Sequence, residues 1–283
     1  MIVLDGITTY SEYICPILSG EHSGEILLIT SKGAYFQLED RIFMLTDVSF
    51  GCTPLGILID MVGFLTFNKW TTGQSVSIVN GTLHFPGVNI HLQPRNYAGP
   101  APIAFTQALI SSCVQQLQHR CKNSGLSRLC APLFGSGDVP TDPVCQTAYP
   151  LIISLLQALQ CNDTKLTEST LQDLLGMGIG LTPSADDVIL GFMYTLLRIA
   201  PDRRCTQILR DSVIHLAPVC TNAISAAYLR AVATGAPFER LDRILQGLCG
   251  QCSLNIDPIL EIGSSSGSEM LLGLLLAAKL IYL

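Results

Sequence analysis

The hydrophobic period of this chain changes once, and that change limits the fold more than any other feature. Up to residue 97 the apolar residues come in short runs with a period of two; beyond it they recur at helical spacing. The early runs are Glu25–Thr30, Ala34–Leu38, Arg41–Thr46, Ser75–Val79, Thr82–Phe85 and Val88–Leu92. Ser31-Lys32-Gly33 separates the first two and reads as a turn. Asn80-Gly81 offers two residues that tolerate positive φ, so the runs on either side of it form a tight hairpin. Short strands at this spacing predict a small barrel or sandwich. Asn96–Pro102, with a glycine and two prolines, breaks every period and marks the boundary. After it, Ile103–Arg120 has helical spacing and Ala131–Pro143 reads as a loop. Further helices are expected over 147–160, 167–175, 184–199, 203–216, 219–234, 238–248 and 266–281. The expected fold is α+β: a β-rich domain over 1–97, then a mostly helical domain over 98–283.

Charge narrows the range of partners. Only 13% of the residues are charged, the net charge is −6, and 48% are hydrophobic. A mildly acidic chain with no basic run is a poor match for nucleic acid or an anionic membrane. So little charge leaves apolar surface to cover, which favours association, either as a homo-oligomer or with other subunits. The longest apolar run, Leu271–Leu283, is interrupted by Lys279 and is too short to span a bilayer. The first residues lack a basic stretch and carry Asp5 early, unlike a signal peptide, so a cytoplasmic protein is expected. Eleven irregularly spaced cysteines, most of them in apolar stretches, fit reduced thiols. Cys249 and Cys252 have metal-ligand spacing, but no second pair stands near them, so no zinc is expected there.

Three segments of the second half hold the polar residues that could carry chemistry. The first is Gly176-Met-Gly-Ile-Gly-Leu-Thr-Pro-Ser-Ala-Asp-Asp187. Glycines at alternate positions open backbone conformations closed to other residues. Thr182 as N-cap and Pro183 as first helical residue would start a helix, with Asp186 and Asp187 in its first turn. The same glycine loop at a helix start also suits an anion, although it is no phosphate-binding P-loop. The second is Gly263-Ser-Ser-Ser-Gly-Ser-Glu-Met-Leu-Leu-Gly273, where Ser266 and Glu269 have capping-box spacing. Capping explains one serine; three serines between two glycines read equally as a binding loop or a flexible one. The third is Asn222-Ala-Ile-Ser-Ala-Ala-Tyr-Leu-Arg230. It places Asn222 and Ser225 on one helical face, and Arg230 is its only cation. It reads as a ligand contact or as a packing seam.

Taken in order, GLTPSADD, ISAAYLR and GSSSGSEMLLG resemble the AllH-like family over residues 176–275. The match departs at Glu269, where the family pattern is expected to have Asp. The resemblance implies one subunit of a bacterial oxamate carbamoyltransferase, acting in purine or allantoin catabolism beside FdrA-like and AllG-like subunits. In the implied reaction, phosphate attacks the ureido carbon of oxalurate and releases oxamate and carbamoyl phosphate. Such a site needs donors for a developing oxyanion and a cradle for phosphate. The resemblance assigns catalysis to Asp186, Asp187 and Glu269. Binding of phosphate and the carbamoyl substrate falls to Gly178, Gly180, Thr182, Ser184, Asn222, Ser225, Arg230, Ser264, Ser265, Ser266 and Gly267. No metal is required, and Mg²⁺ at Asp186 and Asp187 is the one cofactor to consider.

Two other readings stand beside the enzyme subunit. One is a structural or assembly subunit of an FdrA-like complex; the other is a stand-alone small-molecule-binding hydrolase that shares only the loops. A shared site requires the two glycine–hydroxyl segments to meet. If helices 184–199 and 266–281 pack parallel, the segments meet at one end. If they pack antiparallel, a helix length of roughly 20 Å or more separates them.

Overall fold

The computed structural model describes residues 2–10, 12–59, 69–97, 104–121 and 125–282. The expected boundary segment Asn96–Pro102 lies largely outside these residues. The chain forms two compact units. The first is Met1–Gly99 together with Ala236–Glu239; the second is Pro100–Gly235 with Arg240–Leu283.

Among the described residues the first unit is a closed barrel of eight strands: β1 (Ile2–Tyr10), β2 (Glu21–Thr30), β3 (Gly33–Leu38), β4 (Arg41–Asp47), β5 (Gly56–Ile59), β6 (Ser75–Val79), β7 (Thr82–Phe85) and β8 (Val88–Asn96). Their order around the barrel is β1-β5-β4-β3-β2-β6-β7-β8, and a parallel β1–β8 pairing closes it. Asn80 and Gly81 take φ of 47° and 75°, so Val79 pairs directly with Thr82 and the hairpin turns as the dipeptide requires. Phe36, Phe43, Phe85 and Trp70 fill the interior, with Trp70 stacked on Phe85 at 4.5 Å. Strands β1 and β5 were not among the sequence expectations. Gly56–Ile59 is buried throughout and so shows no alternation. The short return of Ala236–Glu239 to this unit also leaves no sequence signal. It is tied by Glu239, whose N–H donates to the Cys52 carbonyl (2.9 Å) and whose Oε2 accepts from the Cys52 N–H (2.9 Å).

The second unit is helical: α1 (Gln107–Arg120), α2 (Cys130–Leu133), α3 (Pro143–Gln160), α4 (Thr164–Leu174), α5 (Ser184–Ile199), α6 (Arg204–Cys220), α7 (Ala223–Ala233), α8 (Glu239–Leu248), α9 (Asp257–Leu260) and α10 (Ser266–Tyr282). A 3-10 turn, Gly125–Leu129, leads into α2. Several helix starts shift from the expected positions because short polar side chains cap them. Asp142 accepts from the Cys145 N–H and starts α3 four residues early, and Asp163 accepts from Leu166 N–H and starts α4 three early. All eleven cysteines are free. Among the described residues no helix is long and apolar enough to cross a membrane.

Two helices form the centre of this unit. Every residue of α5 from Ala185 to Leu196 and of α10 from Gly267 to Ala278 is buried. A helix apolar on all sides has to be surrounded, and these two are central for that reason. They pack backbone to backbone. A Cβ added to Gly191 would stand 2.0 Å from the Met270 carbonyl oxygen, and one added to Gly273 would stand 2.0 Å from that of Val188. Thr182 meets Ser266 at the starts of the two helices, and Ile199 lines one cavity with Ile281 and Tyr282 at their ends, so both helices run the same way and their N-termini lie at one end.

Because the obstructing atoms are backbone, Gly191→Ala is expected to force the pair apart. The loss should reach at least about 3 kcal/mol, the upper end for an overpacked core, and lower Tm by roughly 10 °C. Gly135→Ala meets nothing within 4 Å and has only its positive φ of 82° against it, a cost of about 1 kcal/mol. Thermal denaturation of the two variants separates the effects.

Candidate functional site

The parallel pairing of α5 and α10 brings the two glycine–hydroxyl segments into contact. The loop before α5 is folded back on the helix start. The Met177 carbonyl accepts from the Ala185 N–H (3.0 Å), and the Gly176 N–H donates to Asp186 Oδ1 (2.7 Å). Gly178 shows why glycine stands here. Its φ is +118°, and a Cβ would lie 2.5 Å from the Ser184 nitrogen. Thr182, the last hydroxyl of this loop, lies 3.1 Å from the hydroxyl of Ser266 at the start of α10.

The three acids at this joint are all buried, and their partners differ. Asp186 is fully engaged: Oδ1 accepts from Gly176 N–H, and Oδ2 accepts from the hydroxyls of Thr221 and Ser225 (2.6 Å for Ser225). Burial raises its pKa, and these donors work against the rise. Glu269 is engaged on both oxygens as well. Oε1 accepts from the Leu126 N–H (3.0 Å) and Oε2 from the Ser265 hydroxyl (3.1 Å). Asp187 is different. Oδ2 accepts from the Thr182 hydroxyl at 2.9 Å, while the buried Oδ1 has no hydrogen-bond partner among the described residues. Burial holds the Asp187 carboxyl well above the usual carboxylate range. The hydroxyls of Ser266 and Thr182 oppose that shift, and the charges of Glu269 and Asp186 add to it.

Asp187, Thr182 and Ser266 therefore form a chain running from a fully buried carboxyl to a half-buried hydroxyl. Both hydroxyls donate and accept. With Asp187 ionised, Thr182 donates to it and Ser266 donates to Thr182. With Asp187 protonated on Oδ2, both links reverse and Ser266 points its proton outward. Such a chain can hold a proton at one end and release it at the other.

Several expected roles change in the structure. Thr182 does not cap α5: Pro183 takes the N-cap position, and the Thr182 hydroxyl, one residue further out, bonds to the Asp187 carboxylate instead. The capping box of Ser266 and Glu269 does not form either. Ser266 is already the first helical residue, so the Glu269 carboxylate turns to Ser265 and Leu126. Asn222 is exposed and caps α7, accepting from the N–H groups of Ile224 (3.1 Å) and Ser225 (3.0 Å), while the Ser225 side chain is buried. Arg230 is exposed and lies about 140° around α7 from the buried Ser225, away from the joint. Ser264, Gly263 and Gly180 are exposed at the rim, while Ser184 and Ser265 are half-buried beside Thr182 and Ser266. Gly267 is buried against the end of α9, where a Cβ would lie 1.8 Å from the Ile259 carbonyl oxygen.

The donor set does not suit Mg²⁺ at Asp186 and Asp187. Asp186 spends both oxygens on three protein donors, and an octahedral oxygen-loving ion requires them free. Among the described residues no group of three His, Cys, Asp or Glu is placed to hold a metal ion. Two contributors escaped the sequence reading. Thr221 sits just before a capping Asn and carries no motif of its own. Gly125-Leu126 lies in an unpatterned polar stretch, where a Cβ on Gly125 would come within 2.1 Å of Glu269 Oε1.

Residues 174–278 match the family model of oxamate carbamoyltransferase subunit AllH. This segment is similar to that family. It begins at the last residue of α4 and contains the glycine loop, α5, α7 and all of α10 up to Ala278, so every group of the joint except Leu126 comes from it. No solved structure matches the chain. The AllH description names a subunit, and the activity it names is that of oxamate carbamoyltransferase.

The state of Asp187 gives this site a pH signature. Its pKa is raised on folding, so its contribution to stability is complete below the unfolded value of about 3.9. That contribution is lost as pH rises through the folded pKa. Asp187→Asn removes the titration. The Tm of the variant relative to wild type is expected to climb steadily from pH 4 upward, and a difference independent of pH would contradict the assignment.

Proposed function

We propose that the chain is a subunit of a carbamoyltransferase of the oxamate type, working in the cytoplasm with FdrA-like and AllG-like companion subunits. The joint between the starts of α5 and α10 is its contribution to the active site. One observation carries this reading: a hydroxyl chain links a buried carboxyl to the surface where the two AllH-like motifs meet.

The chemistry needs such a chain. When a phosphate oxygen bonds to the ureido carbonyl carbon of oxalurate, the attacking phosphate gives up a proton. When the carbon–nitrogen bond breaks, the leaving oxamate nitrogen gains one. Ser266 is the group that meets the reactants, taking the first proton and returning it to the nitrogen. Asp187, acting through Thr182, is a positioning residue that holds the proton in between. Backbone N–H groups at the helix starts and the hydroxyl of Ser184 face the anion. Asp186 and Glu269, engaged on both oxygens, fix the glycine loop and the 3-10 turn and do not touch ligand. Arg230 has no part in this arrangement.

The saturation of Asp186 and Glu269 also favours the assembly-subunit reading, in which these acids only tie loops together. Kinetics of the assembled complex decide between them. Ser266→Ala and Thr182→Val are each expected to lower kcat for carbamoyl phosphate formation from oxalurate at least tenfold while the complex stays intact. Asp187→Asn is expected to flatten one limb of the pH–rate profile. Unchanged kcat and profile in all three variants would support the assembly role, and turnover by the chain alone would support the stand-alone hydrolase.

A further inference from the structure

The three loops that meet at the joint carry no charged side chain. From Leu174 to Ala185, from Ala217 to Leu229 and from Ile262 to Ser268 the sequence contains no Asp, Glu, Lys, Arg or His. These stretches form the loop before α5, the α6–α7 link with the start of α7, and the loop before α10. They lie together: Gly176 packs against the Cys220 carbonyl, and Thr182 bonds to Ser266.

Large aliphatic side chains project from the same surface. Ile179 is 92% exposed, Val219, beside Cys220, is 80% exposed, and Leu181 is 40% exposed. Ile179 is held between Gly178 and Gly180, whose φ values of +118° and +107° set the loop in a shape other residues rarely adopt. Charge depletion around protruding aliphatic anchors is the composition of an interface core, not of ordinary surface.

These loops and the helix starts that follow them also lack cations. No Lys, Arg or His lies in 174–188, 217–229 or 262–278. Arg128, close in sequence to Leu126, is paired with Asp142 at 2.7 Å. On the functional reading proposed above, on which this inference rests, both reactants are anions, and electrostatic stabilisation of phosphoryl oxygens calls for positive charge. A second copy of this chain would bring the same charge-free face and supply none.

We infer that the face formed by Ile179, Leu181 and Val219 docks a companion subunit, which receives these side chains in an apolar pocket and places a Lys or Arg over the Thr182–Ser266 joint. The active site is then shared: hydroxyls and the proton store come from this chain, and the cation comes from its companion.

The test uses the full chain with the FdrA-like and AllG-like proteins and two separate measurements. In the first, a variant carrying Ile179→Asp and Val219→Asp is compared with wild type for complex formation by light scattering and titration. At least a tenfold loss of affinity with unchanged Tm of the chain alone is expected. Undiminished affinity, absence of any complex with either companion, or self-association of the chain through these residues would overturn the inference. In the second, inorganic phosphate is titrated into the chain alone and into the complex. Binding at least tenfold tighter in the complex is expected, and equal binding by the chain alone would overturn the shared cation. A complex that depends on both residues and binds phosphate, yet makes no carbamoyl phosphate from oxalurate, would support the docking surface and contradict the functional reading instead.

Discussion

Backbone contact between α5 and α10 is the constraint on which the candidate site depends. Gly191 and Gly273 let the two helices approach until carbonyl oxygens occupy the space that side chains would fill. At that distance, parallel packing leaves no freedom in where the helix starts lie, and Thr182 reaches Ser266 across the pair. Wider spacing would leave two independent helix starts, each capped locally. The glycines inside the helices thus matter to the site as much as the glycines of the loops, although they lie two turns deeper.

The second determinant is the division of labour among three buried acids. A buried carboxylate is costly unless donors surround it. Asp186 and Glu269 meet that condition with backbone N–H groups and hydroxyls, and in doing so they tie the α6–α7 link and the Gly125–Leu129 turn to the central helices. Asp187 meets it only in part: the hydroxyls of Thr182 and Ser266 oppose its burial, and its Oδ1 has no hydrogen-bond partner among the described residues. An unsatisfied group at the centre of an otherwise satisfied cluster is the place where function is stored at the expense of stability. The adjoining loops are unusual in the opposite sense, with exposed aliphatic residues and no charged residue in 174–185, 217–229 or 262–268.

Much of this was legible in the sequence because the relevant rules are local. Asn80-Gly81 could only turn one way, the alternation of Ser75–Val79 and Thr82–Phe85 could only be strand, and the all-round apolar runs after Pro183 and Ser266 could only be central helices. The glycine spacing in Gly176–Gly180 pointed to a special backbone, and all three glycines have positive φ. What the sequence withheld was pairing at a distance. Thr182 and Ser266 each looked like a cap because a hydroxyl before a helix usually is one. Thr182 turns to Asp187 within its own helix start, and only the parallel packing of the two helices brings Ser266 to it. Arg230 looked like a ligand contact because it was the one cation in its segment, yet helix geometry turns it away. Thr221 and Leu126 contribute a hydroxyl and a backbone N–H from stretches without a pattern, which no spacing rule could find.

The central claim is that Asp187 holds a proton for the Thr182–Ser266 chain. Isotope-edited infrared or carbon NMR spectroscopy of aspartate-labelled protein, with Asp187→Asn used to assign the signal, reads that proton directly. The expected result is an Asp187 carboxyl that is still protonated at a pH where ordinary aspartates have ionised, and that releases its proton only on further rise in pH. An Asp187 carboxyl that titrates with the exposed aspartates near pH 4 would contradict the claim.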